Sequence, residues 1–352
     1  MYKQIILFAL VILASQPAFA QRVYSNEFMS IGVGAPALSM SNSVVASIDD
    51  VSAGYWNPAG LAKLDNKYGL SLMHTEYFAG IAKFDYAGAS FKIDQKRAIG
   101  LTLLRFGVDD IQNTIELFDS EGNIDYDRIK KFSVADYGML FSYSQVAKNP
   151  NLTYGANIKI IHRIIGEFAK AWGFGFDVGA QYQQNNWKFG AVLRDATSTF
   201  NAWSFNNEEL EITVLDSTYN TISSNAIEST LPKLLIGTAR VFDINKSFQM
   251  LVEIDTDFSF DGQKHSVVSN NFVSIDPHLG IELNYKNFIF FRSGIGNIQE
   301  IKNFENEEWS FQPNIGLGLR FRNFTIDYAL TDVGDQSIAD YSNIFSLRYF
   351  WN

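Results

Sequence analysis

The residues most able to do chemistry lie in an acidic stretch near position 120. Asp119, Glu121, Asp125 and Asp127 put oxygen-bearing side chains at alternate positions, as a loop wrapping calcium would. Gly122 falls two positions too early for an EF-hand loop. The surrounding residues 109–133 add Asp109, Asp110 and Glu116, which fits a solvated acidic loop better than a cation site. No metal and no cofactor is therefore expected. Catalytic motifs are absent: there is no H-E-x-x-H, no G-x-S-x-G, no phosphate-binding loop and no cysteine. His74, His162, His265 and His278 are scattered, and His278 suits a hydrogen-bonded structural role better than a base. The chain is expected not to be an enzyme.

A second set of ionisable residues shares a face. Asp177, Glu253, Asp255, Asp276, His278, Glu282, Arg320, Asp327 and Arg348 occupy the polar side of segments whose other side is apolar. Such charges must be hydrated or paired across the interior. They would either fix an internal segment in place or line a permeation path, and the first is the stronger reading.

The elements that position them alternate with a period of two. In Trp172–Tyr182, Trp172, Phe174, Phe176, Val178, Ala180 and Tyr182 lie on one face with glycine or polar residues between. Residues 275–285 repeat the pattern, as do 248–255 and 314–321. Strand candidates run at about 68–74, 79–93, 97–108, 134–146, 152–163, 172–183, 187–196, 233–242, 247–258, 274–285, 287–296, 310–321, 324–332 and 342–351. They are even in number, and short connections alternate with long ones, as in a barrel with short periplasmic turns and long outer loops. The last strand carries Phe345, Leu347, Tyr349 and Trp351 on one face; it is expected to close the barrel and to serve as its assembly signal. Aromatics reach 15% while mean hydropathy is near zero, which suits strands with one lipid face and one wet face.

Lys3, the apolar run from Ile5 to Ala14 and Ala18-Phe19-Ala20 read as a signal peptide over 1–20. Residues 21–66 lack strand rhythm and are expected to form an N-terminal plug with one or two short helices, Asn57 capping a helix that Pro58 opens. Residues 67–352 would be the barrel. The expected fold is thus all-β: a 14-stranded antiparallel transmembrane β-barrel with a small plug, in the outer membrane of a Gram-negative bacterium. Its net charge of −10 leaves no basic stripe for nucleic acid.

The plug region carries a resemblance. Gly32 and Gly34 within Ile31–Met40, then Ser47-Ile48-Asp49-Asp50, then Tyr55-Trp56-Asn57-Pro58-Ala59-Gly60-Leu61 resemble the N-terminal signature of PorV/PorQ proteins of the Bacteroidota, within the FadL-like group. Pro36 and Ser39 depart from the commonest pattern, where arginine and glycine are expected. The resemblance implies a plugged 14-stranded barrel, with Asn57, Pro58, Ala59 and Gly60 as its plug motif. It also implies two alternative roles. The PorV/PorQ branch supplies non-enzymatic accessory subunits to the type IX secretion system, with other outer-membrane or surface proteins and lipid as partners. The FadL branch takes up hydrophobic small molecules through an opening in the barrel wall. The charge and glycine on the assignable lumen faces favour docking; an apolar lumen pocket would favour transport.

Overall fold

The computed structural model describes residues 25–118, 122–214, 217–220, 226–263, 266–302, 307–331 and 341–352. The expected signal peptide, Asp119, Glu121 and His265 lie outside them. The first six strands are β1 (Tyr68–Tyr77), β2 (Ala82–Lys92), β3 (Arg97–Asn113), β4 (Lys130–Val146), β5 (Leu152–Ile165) and β6 (Ala169–Gln184). Then come β7 (Trp187–Arg194), β8 (Thr199–Phe205), β9 (Glu211–Val214), β10 (Ser217–Asn220), β11 (Ile227–Thr230), β12 (Lys233–Asp243) and β13 (Phe248–Ser259). The chain ends with β14 (Val268–Ser269), β15 (Ser274–Tyr285), β16 (Ile289–Lys302), β17 (Glu307–Phe321), β18 (Phe324–Thr331) and β19 (Ser342–Trp351).

Each long strand pairs antiparallel with its sequence neighbours, and β19 returns to β1 in the register Tyr68↔Trp351 through Glu76↔Asn343. The sheet therefore has no open edge, the condition for strands to cross lipid. β7 and β8 are two halves of one wall strand, both paired to β6, and β11 and β12 are two halves of the next, so the wall counts 14 strands. This corrects the expected strand ends near 196 and 233. The wall continues into what reads as loop, and four residues, Asp195–Ser198, bulge from it. Asp195 and Ser198 take positive φ to make that step.

Side chains sort by parity. On β19, Phe345 and Leu347 face outward and are exposed, while Ile344, Ser346 and Arg348 face the lumen and are buried. Residues 25–67 fill the lumen with four short turns of helix: Glu27–Ser30, Ala35–Ser39, Ala53–Trp56 and Pro58–Lys63. Pro58 opens the last of these, and the Asn57 carboxamide oxygen accepts the Ala59 amide at 3.2 Å. The plug therefore contains more helix than the sequence suggests, all of it too short to stand without the wall.

Candidate functional site

The plug is held because wall side chains answer its backbone. Residues 43–48 lie in irregular turns whose amides and carbonyls have no ladder to join. Glu253 and Asp255, two residues apart on the inner face of β13, supply acceptors. Asp255 takes the Val44 and Val45 amides at 2.8 and 2.9 Å, and Glu253 takes the Ala46 amide at 2.6 Å. From β6, three strands along the wall, the Gln181 amide donates to the carbonyls of Val45 and Ile48 at 3.1 and 3.0 Å. The Asn57 side chain also reaches outward, donating to Val45 at 2.9 Å and to Ala180 of the wall at 3.2 Å. Asn157 donates to the Gly54 carbonyl at 2.9 Å.

Gly32 and Gly34, in the glycine-rich lead, take positive φ. The Gly32 amide donates to the Tyr55 hydroxyl at 3.0 Å, and that hydroxyl donates to Met29 at 2.7 Å.

Charges line the lumen in several groups; besides Arg163 with Asp136 at 2.8 Å and Glu228 at 3.4 Å, and Lys188 with Asp49 of the plug at 3.7 Å, four groups hold the expected residues. In the first, Glu282 pairs with Arg292 at 2.6 Å, Arg292 with Asp327 at 2.8 Å, Asp327 with Arg348 at 2.8 Å, and Arg348 with Asp50 of the plug at 2.5 Å. Burial pushes the Asp50 carboxyl up, but the Arg348 guanidinium and two bonds from Ser52 hold it below the usual carboxylate range. Arg320 borders the same cavity of about 240 Å³ without an ion pair at contact distance among the described residues. In the second, Lys159 bridges Asp177, at 2.8 Å, to Asp195 in the bulge. The third is the Glu253–Asp255 clamp. The fourth lies at the outer mouth, where His278 stands 3.9 Å from both Asp257 and Asp276. All nine expected lumen residues face inward, but they form separate clusters instead of one network. Asp50, Lys159, Asp195, Asp257 and Arg292 complete those clusters and were missed as lumen charges by sequence reasoning. Arg292 sits in an apolar run (Ile289-Phe290-Phe291) that masks its face, and Lys159 stands between two isoleucines.

The opposite sector of the lumen is apolar. Met73, Phe84, Tyr86, Leu104, Leu140 and Ile161 line the inner face of β1–β5 and pack on Phe28, Val33, Tyr55 and Trp56 of the plug, with Met29 half-buried beside them. Arg194 closes this side, its guanidinium 4.8 Å from the Tyr55 ring centre and 5.4 Å from that of Trp56. The expectation of lumen faces rich in charge and glycine is corrected in part: charge gathers on β13–β19, on the bulge and at Asp136, Lys159 and Arg163 of β4 and β5, while the inner sector from Met73 to Ile161 between them is apolar. Above the plug lies a cup of about 510 Å³ lined by Lys233, Asp257, Asp276 and His278; below it lies one of about 790 Å³ lined by Asp49, Lys63, Arg322 and Arg348.

In the acidic loop, the Asp125 carboxylate accepts the Asp127 amide at 3.1 Å and pairs with Arg128 at 3.3 Å, the pattern of a local turn. No group of three or more metal-ligating side chains occurs among the described residues.

No protein-family profile and no curated protein matches the sequence. Solved structures do match. The CymD monoaromatic hydrocarbon channel is similar with a TM-score of 0.56 and 13% identity, covering 92% of this chain and 98% of that one. The toluene transporter TbuX of Ralstonia pickettii gives 0.54 and 12%, covering 91% and 99%. A FadL homologue of Pseudomonas aeruginosa gives 0.53 and 12%, covering 91% and 98%. The chain has the FadL-like fold, a closed 14-stranded antiparallel β-barrel. The PorV/PorQ likeness of residues 31–61 has no counterpart among these matches.

Proposed function

We propose that the protein is an outer-membrane channel for hydrophobic small molecules, with a route along the apolar sector between the plug and β1–β5. The observation that carries this reading is the one-sidedness of the lumen. Most ions and plug tethers lie on β13–β19, the bulge and the flanks of β4 and β5, while the sector from Met73 through Phe84, Tyr86, Leu104 and Leu140 to Ile161 offers hydrocarbon and aromatic surface. An apolar molecule leaving the outer cup gains by following that surface and meets no unpaired charge on it. Phe28 and Met29 fill the sector in this conformation, so passage requires the turn Glu27–Ser30 to move aside while the clamp on residues 44–47 stays shut. The fold shared with channels for monoaromatic hydrocarbons and toluene supports the same class of cargo. The alternative of an accessory subunit in a type IX secretion complex rests on the PorV/PorQ resemblance of residues 31–61 and on lumen faces rich in charge and glycine, and the apolar sector weakens the second ground.

The test is uptake of a radiolabelled monoaromatic hydrocarbon by cells that express the barrel, compared with cells that express Met29→Arg. The parent barrel is expected to speed uptake, and the charge in the apolar lining to cut that gain by about tenfold or more. Equal uptake with and without the barrel would rule the channel reading out.

A further inference from the structure

The lipid-facing belt is not of even height. On β6 the outward face is apolar from Tyr182 through Ala180, Val178, Phe176 and Phe174 to Trp172, aromatic at both ends. Those ten residue steps cover about 34 Å of strand, or roughly 26 Å of height at the usual barrel tilt, which matches an ordinary bilayer core. β15 gives the same count, from Tyr285 up to Ile275. On β1, β2 and β3 the outward apolar column stops after three residues: Tyr68, Leu70, Leu72; Phe91, Ala89, Ala87; Ile99, Leu101, Leu103. Four residue steps cover roughly 11 Å of height, less than half the core.

An ion-pair ladder begins where these columns stop. His74, Asp85 and Arg105 are direct cross-strand neighbours on the outer face. His74 lies 2.7 Å from Asp85 and 3.9 Å from Glu76, and Arg105 lies 3.7 Å from Asp85 and 3.5 Å from Asp109. Lys83 reaches Asp109 at 3.8 Å. These side chains are a third to a half exposed, on the side of the wall that faces lipid. Charges there are costly against acyl chains and comfortable in a headgroup layer. His74, Asp85 and Arg105 also border an apolar recess of about 890 Å³ on the same wall, which extends from them to Leu72, Leu103, Met139, Ile326 and Leu347.

We propose that the outer leaflet is thinned at β1–β3: the lipid headgroups and their water descend to the His74–Asp85–Arg105–Asp109 ladder, and the apolar part of the recess that the ladder borders takes their shortened or splayed acyl chains. The occupant is the phospholipid headgroup layer itself. Because the ladder is paired within the barrel, it needs no complementary partner charge, only hydration. The inference rests on the barrel crossing the membrane and is independent of what the barrel carries.

The chain has no cysteine, so single spin labels report depth without background. Ala87→Cys and Val178→Cys stand four residues above Phe91 and Tyr182 at the lower aromatic rim, and share one height in a bilayer of even thickness. In vesicles of phosphatidylethanolamine and phosphatidylglycerol, a nitroxide at position 87 is expected to meet a water-soluble nickel chelate several-fold more often than one at 178. Labels at Phe91→Cys and Tyr182→Cys are expected to read alike, at the inner headgroup layer. Asp85→Leu with Arg105→Leu, still forming a heat-modifiable barrel, should bring position 87 to the value at 178. Equal accessibility at 87 and 178 in the parent overturns the proposal, since it leaves the ladder in hydrocarbon or in need of a protein cover. A label at 91 that reads as fully aqueous also overturns it, because the whole barrel is then tilted and the bilayer is not thinned.

Discussion

A barrel carrying Gly190→Val and Gly294→Val conducts ions in planar bilayers, where the parent is closed. The expectation follows from how tightly the plug backbone lies on the wall. A Cβ added at Gly190 would sit 2.3 Å from the Val45 carbonyl oxygen, and one at Gly294 would sit 2.3 Å from the Met40 carbonyl carbon. Neither contact can be relieved by a side chain changing rotamer, because the opposing atoms are backbone. The wall itself is a closed hydrogen-bonded ladder and tolerates valine well. The plug must therefore move away from the wall, releasing residues 40–46 and opening the lumen. Conductance is expected to rise by about an order of magnitude or more, as a lumen of this strand number is wide enough for ions once emptied. Ala191→Val, one residue along and facing outward, is the control and should stay closed. A closed Gly190→Val, Gly294→Val barrel would mean that the plug does not seal the lumen by this contact.

Arg348→Met is expected to destabilise the folded barrel by about 3–5 kcal/mol, the range for removing one partner of a buried ion pair. Methionine matches the length of the side chain, so the loss is of charge more than of volume. Arg348 is buried between Asp50 of the plug and Asp327 of β18, and Asp327 is nearly inaccessible. Arg292 still serves Asp327 after the change, but Asp50 is left without a cation at contact distance. The midpoint of denaturant unfolding in detergent reads the effect. Asp50→Asn in the same chain should restore part of the loss by removing the stranded charge. A change under about 1 kcal/mol would make the cluster a hydrated lumen patch and not a plug tether.

Much of this architecture is written in the two-residue rhythm. Trp172–Tyr182, 275–285 and 345–351 show which side chains face lipid, and Asn57-Pro58 shows where a helical turn begins. Alternation assigns a face and says nothing of partners, so Asp327 and Arg348 were legible as inward while Arg292 and Asp50 were not. The rhythm also fails where both faces are apolar. Leu72-Met73, Leu103-Leu104, Met139-Leu140 and Ile160-Ile161 give continuous apolar pairs, so the inner sector that matters most for function looks like ordinary strand. The seventh wall strand was cut short for a related reason. Its four-residue bulge at Asp195–Ser198 shifts the phase, and Thr199, Asn201 and Trp203 then face inward out of step with Val192. The low wall at β1–β3 escaped because sequence pattern counts strands more readily than it measures the height of their apolar columns.

The route along β1–β5 is tested most directly by photolabelling the folded protein with a diazirine-bearing monoaromatic and mapping the modified peptides. The account predicts adducts on Phe28 or Met29 and on inward residues such as Leu140 and Ile161, reduced by excess unlabelled toluene. Adducts confined to outward residues of the belt, unchanged by toluene, would contradict it.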